Sequence, residues 1–245
     1  MPTRAVHIVI DAADPSRLAA FWAPVLGWEV ASDDPDEAVV APAGFSYPDP
    51  AALPLVFVPV AEPKTGKNRI HLDLSTRSDE HQATEVERML ALGSTRADIA
   101  QGDVPWEVLA DPEGNEFCVL DPRPGYLDAR PIAAIVIDSH DPAQIAPFWA
   151  AATGWKVQKS APDFASLRAS GGTGPFLELL RTPDKKTAKN RIHVDVAPPS
   201  GGDTQAEAGR LEKAGAARID IGQGEVSWVV LADPEGNEFC VLTPR

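Results

Sequence analysis

Residues 108–120 read VLADPEGNEFCVL, and the same thirteen letters return at residues 230–242, 122 positions later. Identity over such a stretch marks a tandem repeat. Val108, Leu109 and Ala110 read as one strand and Phe117, Cys118, Val119 and Leu120 as another. Between them Asp111-Pro112 opens a type I turn, and Gly114 supplies the left-handed residue that closes a hairpin. The turn accounts for Asp, Pro and Gly. It does not account for Glu116 and Cys118, which share one face of the exit strand.

Upstream of the hairpin the pattern is regular. Residues 5–11 alternate as a strand with Val6, Ile8 and Ile10 on one face. Asp14-Pro15 then gives an N-cap followed by proline at the first helical position. Leu18, Phe21, Trp22 and Val25 form an apolar stripe at helical spacing, and Gly27 stops the helix. Three strands follow, the last after a Pro-rich loop at 42–54. A second round begins at Arg69: a strand over 69–74, an amphipathic helix over 80–92, and strands through the hairpin. Each half is therefore predicted to hold two βαβββ units. In the second half DSHDP (138–142) answers DAADP (11–15), and KNRIH (189–193) answers KNRIH (67–71). The front parts are offset by 127 and the rear parts by 122, so five residues are missing from the second copy, in the Pro-rich loop. A surface connection tolerates such a deletion. The expected domains are 1–122 and 132–245, with 123–131 as linker.

Composition narrows the function. With 22 basic and 36 acidic residues in 245, the net charge is −14. Such a chain repels phosphate backbones and anionic lipid, so neither nucleic acid nor membrane is an expected partner. No apolar run reaches the roughly 20 residues of a membrane span, and Met1 to Arg4 lead into a strand rather than a signal peptide. The two cysteines, Cys118 and Cys240, occupy equivalent repeat positions and suggest reduced thiols in the cytoplasm.

Four βαβββ units, the FW…LGW segment, KNRIH and DPEGNEFCVL resemble the vicinal oxygen chelate superfamily, which includes glyoxalase I, bleomycin-resistance proteins and extradiol dioxygenases. The resemblance covers nearly the whole chain. It implies an α+β fold of four βαβββ units forming two cupped mixed sheets with helices outside. It also implies metal ligands on the first strand of each unit and the last strand of the second, often two His and a Glu. On these positions lie His7 and His71, with Glu116 or Cys118 as the third ligand. In the second half His193 and Cys240 are kept, His7 aligns with Ala134, and Glu178 stands where the first half has Val56.

Strand alternation supports a shared concave face without reference to relatives: Arg69, His71 and Asp73 point one way, and Ile70, Leu72 and Leu74 the other. Two His and one carboxylate suit Fe, Mn or Ni, and a thiolate in the set suits Zn. A buried polar network around His71 is the alternative, as is plain packing for the two thiols rather than nucleophilic chemistry. Arg69 and Arg191 are candidate anion clamps, with Asp73 and Asp195 beside them on their strands. Trp106 and Trp228 are candidate stacking surfaces for a flat ligand. The expected function is small-molecule binding of a sequestering or resistance type. The alternative is a divalent-metal lyase, isomerase or dioxygenase with its metal in the first half. Fusion of two copies fits a monomer, and a homodimer remains open. The sequence leaves open whether each cup forms within one half or between the halves.

Overall fold

The structure is a computed structural model that describes residues 3–245. The first unit is β1 (Arg4–Ala12), α1 (Pro15–Leu26), β2 (Glu29–Asp34), β3 (Glu37–Ala41) and β4 (Leu55–Pro59). The second is β5 (Ile70–Leu74), α2 (Asp79–Ala91), β6 (Thr95–Arg96), β7 (Glu107–Ala110) and β8 (Glu116–Val119). After a 3-10 turn at Pro124–Tyr126 come β9 (Ile132–Ser139), α3 (Pro142–Thr153), β10 (Lys156–Ala161), β11 (Phe164–Arg168) and β12 (Phe176–Arg181). The fourth unit is β13 (Ile192–Ala197), α4 (Thr204–Lys213), β14 (Ala217–Arg218), β15 (Val229–Ala232) and β16 (Glu238–Val241). No helix among the described residues is long and apolar enough to cross a membrane.

The local signals read from the sequence form as expected. The Asp14 carboxylate accepts a hydrogen bond from the Arg17 amide at the start of α1, and Gly27 ends the helix in the left-handed conformation (φ 64°). In the hairpin the Asp111 Oδ1 accepts the amides of Glu113 and Asn115 at 2.9 Å each, and Gly114 sits at φ 83°.

The repeated hairpin also reaches beyond itself. Trp22 donates its indole N–H to Asp111 Oδ2 at 3.2 Å. Glu113 accepts the amides of Ala13 and Asp14 at 2.8 Å, just before the first turn of α1. Trp149, Asp233 and Glu235 repeat the arrangement around α3. The repeated letters of FW and DPEGN thus bracket a helix: the indole ties its buried side to the hairpin, and the Glu satisfies amides leading into it.

The strands assemble across the halves. One eight-stranded sheet runs β14-β15-β16-β13-β1-β4-β3-β2, joining the fourth unit to the first. The other runs β10-β11-β12-β9-β5-β8-β7-β6, joining the third to the second. The joints are antiparallel pairs of first strands: β1 with β13, where His7 lies opposite Asp195, and β5 with β9, where Asp73 lies opposite Ala134. These strands are buried on both faces, so each needs a partner strand on either side. The helix-facing residues of both sheets, among them Ile8, Ile10, Leu72, Ile135 and Val194, belong to one continuous core.

The KNR letters explain how the halves are held. Arg69 donates to the carbonyls of Asp138 (2.7 Å) and Asp184 (2.9 Å), and Lys67 pairs with the Asp138 carboxylate at 2.6 Å. Arg191 reciprocates on the carbonyls of Asp11 (2.6 Å) and Glu62 (2.9 Å), and Lys189 pairs with Asp11. Asn68 and Asn190 bond the hairpin residues Asn115 and Asn237. Arg69 and Arg191 are therefore spent on carbonyls of the opposite half and do not serve as clamps inside a cup.

Candidate ligand-binding site

Because the sheets cross the halves, His7 and His71 stand in different cups. The first cup joins β1–β4 to β13–β16 and holds His7, His193, Asp195 and Cys240. The second joins β5–β8 to β9–β12 and holds His71, Asp73, Cys118 and Glu178. The set His7, His71 and Glu116 expected from one half is not brought together. The physical reason is that β1 and β5 are never neighbours; each takes the first strand of the other half.

Glu116 is committed elsewhere as well. Its carboxylate accepts Lys64 Nζ at 2.8 Å and the Asn68 amide at 3.2 Å, which pins the loop before β5. Glu238 does the same with Lys186 and Asn190. Cys118 and Cys240, at the alternative position, are the ones that join the His-Asp clusters.

In the first cup, Asp195 lies between two imidazoles: His7 Nδ1 is 3.7 Å from Oδ2 and His193 Nε2 is 3.4 Å from Oδ1. Burial works to raise the carboxyl, but His193 and His7 together hold it down at about 2. Asp195 is thus an anion, and its Oδ1 is buried without a hydrogen bond. Cys240 Sγ is 3.6 Å from His193 Nε2. Above them, Tyr47 from the Pro-rich loop hydrogen-bonds His7 Nε2, and Arg245 Nη1 is 3.4 Å from the same nitrogen. The Arg245 guanidinium also lies 5.6 Å from the centre of the Tyr47 ring. Next to His7 opens a cavity of about 380 Å³, walled by Val39, Val56, Phe45 and Pro54, with Tyr47 and Arg245 beside the imidazole.

In the second cup the polar side chains pair with one another. Tyr126, from the 3-10 turn between the halves, donates to Glu178 Oε1 at 2.8 Å. Arg123 lies 5.4 Å above the Trp106 ring and pairs with Asp121 at 2.7 Å. Asp73 Oδ1 is 3.5 Å from His71 Nε2 and has no hydrogen bond. Burial, with the nearby Lys67 charge, lowers His71 to about 4; burial and the Glu178 charge raise Asp73 to about 7. Burial also raises Glu178. With His71 lowered and Asp73 raised, burial works against an ion pair here.

Both thiols are pushed up by burial and by the adjacent aspartates, Asp73 for Cys118 and Asp195 for Cys240. Thiols so held are poor nucleophiles. Trp106 is capped by Arg123, whereas its counterpart Trp228 is 39% exposed.

Four residues of these cups carry no signal in the motifs: Tyr47, Tyr126, Arg123 and Arg245. Tyr47 and Tyr126 are the only tyrosines of the chain. They lie in the loop and the linker, segments whose composition announces only a connection. Arg123 and Arg245 preserve the 122-residue offset just past the identical stretch, and that was the available clue.

Paired βαβββ units whose first strands join at the centre of a cupped sheet define a glyoxalase-type fold. The model of the glyoxalase-like domain matches twice, at residues 7–120 and 134–242. The chain belongs to this glyoxalase-like family, and so to the vicinal oxygen chelate superfamily. Among solved structures it is similar to glyoxalase I from Zea mays, at 16% identity, with 98% of this chain and 92% of that chain covered and a TM-score of 0.68. It is also similar to a putative dioxygenase from Bacillus subtilis subsp. subtilis str. 168, at 14% identity, with 99% and 85% covered and a TM-score of 0.63. At such identities the likeness is one of fold. The comparison with curated proteins gives no match.

Proposed function

We propose that the protein binds a small molecule in the first cup, with the second cup serving as its structural counterpart. The cavity of about 380 Å³ beside His7 carries this reading. It has the size, the apolar walls and the few converging polar groups of a small-ligand site. The second cup has its polar residues joined to one another, Tyr126 to Glu178 and Arg123 to Asp121. Filling the cavity tests the reading. Wild-type protein titrated with a panel of small aromatic and aliphatic metabolites, followed by Trp fluorescence, should show saturable binding of one equivalent. Val39→Trp, folded by circular dichroism, should abolish it. No binding across the panel, or binding unchanged in Val39→Trp, would contradict the proposal.

A specific observation supports a second reading, a divalent metal. Tetrahedral Zn with bonds of about 2.0 Å to N or O and about 2.3 Å to S separates neighbouring ligand atoms by roughly 3.3–3.6 Å. His193 Nε2 to Asp195 Oδ1 is 3.4 Å and to Cys240 Sγ is 3.6 Å, and the Asp195 oxygen is buried with no hydrogen bond. The residues fit such an ion. His193, Asp195 and Cys240 would hold it, and His71, Asp73 and Cys118 form the matching set in the second cup. A bound divalent ion would supply Lewis acidity toward an oxygen of the ligand. Meanwhile His7, bonded to Tyr47, would orient the ligand at the cavity wall. Elemental analysis after dialysis against Zn²⁺ should then find tight metal that Cys240→Ser and Cys118→Ser each reduce. Metal-free wild-type protein would eliminate this reading and leave the first.

A further inference from the structure

The two cups are built from the same repeat, so residue-by-residue differences between them show what the first cup is adapted to hold. Arg123 and Arg245 are equivalent, 122 positions apart. In the second cup Arg123 is neutralised by Asp121, which both its Nε (3.0 Å) and Nη2 (2.7 Å) contact. In the first cup the residue at the Asp121 position is Thr243. Among the described residues, no carboxylate side chain lies within ion-pairing distance of Arg245.

Two further exchanges run the same way. Glu178, which accepts from Tyr126 in the second cup, is replaced by Val56 on the cavity wall of the first. Ala134, opposite Asp73, is replaced by His7, opposite Asp195. Two carboxylates are thus removed and an imidazole added around a guanidinium left without a counter-ion. The second cup does carry another guanidinium, Arg168, but its Nε and Nη2 both go to the Gly174 carbonyl. Glu29 and Glu37 also line the first cavity, exposed as Arg245 is, but neither forms an ion pair with it.

The aromatic surface differs as well. Arg123 covers Trp106, while Arg245 is turned toward Tyr47 and His7 and Trp228 stands exposed. Trp228 has the parity of Val230, which packs with Cys240 on the concave side. In a chain of net charge −14, an unpaired guanidinium against an apolar cavity is a selective feature rather than a background one.

We infer that the ligand of the first cup is a small aromatic carboxylate, with Arg245 receiving the carboxylate and His7 and Tyr47 placed beside it. This inference rests on the first cup being a binding site. The test uses matched pairs of probes: benzoate with benzamide, phenylacetate with phenylacetamide, and 1-naphthoate with 1-naphthamide. Calorimetric titrations should show carboxylates binding at least about tenfold more tightly than their amides, the scale of one charge-assisted hydrogen bond. Arg245→Gln should remove that preference. Thr243→Asp, which restores the carboxylate found in the second cup, should weaken the acids and spare the amides. Both positions are exposed, so neither variant threatens folding. Amides binding as well as acids, or acids unaffected by Arg245→Gln, would overturn the anion assignment while the binding site stood. Binding of neither set would overturn the assignment, while the binding site itself would stand or fall on the wider panel titrated against Val39→Trp.

Discussion

Replacing Trp149 with alanine is expected to lower the stability of the folded protein by about 3–5 kcal/mol, the range for truncating a fully buried large aromatic. The indole has no exposed surface. It packs against Phe148 and Phe239, with ring centres 5.7 and 5.6 Å away, so it links α3 to the exit strand of the repeated hairpin. Its N–H is given to Asp233 at 3.2 Å. A comparison with Trp149→Phe separates the two contributions. The phenylalanine keeps most of the apolar contact and loses only the donor, so a loss of roughly 1–2 kcal/mol is expected. Asp233 would still accept from the Asn237 side chain and the amides of Glu235 and Asn237. Urea unfolding measures both. A Trp149→Ala protein as stable as the wild type would show that the hairpin does not depend on the helix it brackets.

Both ends of this helix–hairpin link are legible in the sequence. The FW pair, the DPEGN turn, the Asp-Pro caps and the alternating strands are local, and local rules placed them: parity put His71, Asp73 and Cys118 on one face, and the structure finds them in one cluster. What local rules lack is pairing between distant strands. The two first strands of each half, all buried on both faces, can join within a half or across halves with the same parity. Nothing in residues 4–12 or 70–74 states which partner is taken. Sequence alone therefore groups His7 with His71, whereas β13 brings it His193 and Asp195. The resemblance and strand parity both point to Glu116 as a ligand, but Lys64, in a loop fifty-two positions away, claims it. The KNR motif suggests an anion clamp because a guanidinium in a strand entry looks free until the opposite half supplies carbonyls. The five residues absent from the second copy fall in the loop that carries Tyr47, so a length difference typical of a surface connection altered the cover of the first cup.

The second large effect follows from the cross-half joints. Residues 1–122 expressed alone would leave β1 without β13 and β5 without β9, two central strands each open along one side. Ile8, Ile10, Ile70 and Leu72, all now within the common core, would lose neighbours from the other half. Open apolar edges drive association, and the repeat supplies a partner. Since β5 is the counterpart of β13, β1 of one copy can take β5 of another. That dimer would place His7 beside His71, Asp73 and Cys118 of the second copy, the combination that the intact chain does not make. Residues 123–245 would be open along β9 and β13 in the same manner. Co-expression with residues 1–122 should yield a 1:1 complex with the far- and near-ultraviolet dichroism of the intact protein.

Sedimentation of the isolated 1–122 fragment tests the central claim, that each cup is made from both halves. The expected result is a dimer or larger assembly, converted to a 1:1 heterodimer when residues 123–245 are added during refolding. A stable, folded monomer of the fragment with native-like near-ultraviolet dichroism would contradict it, because it would mean that one half completes its own cup.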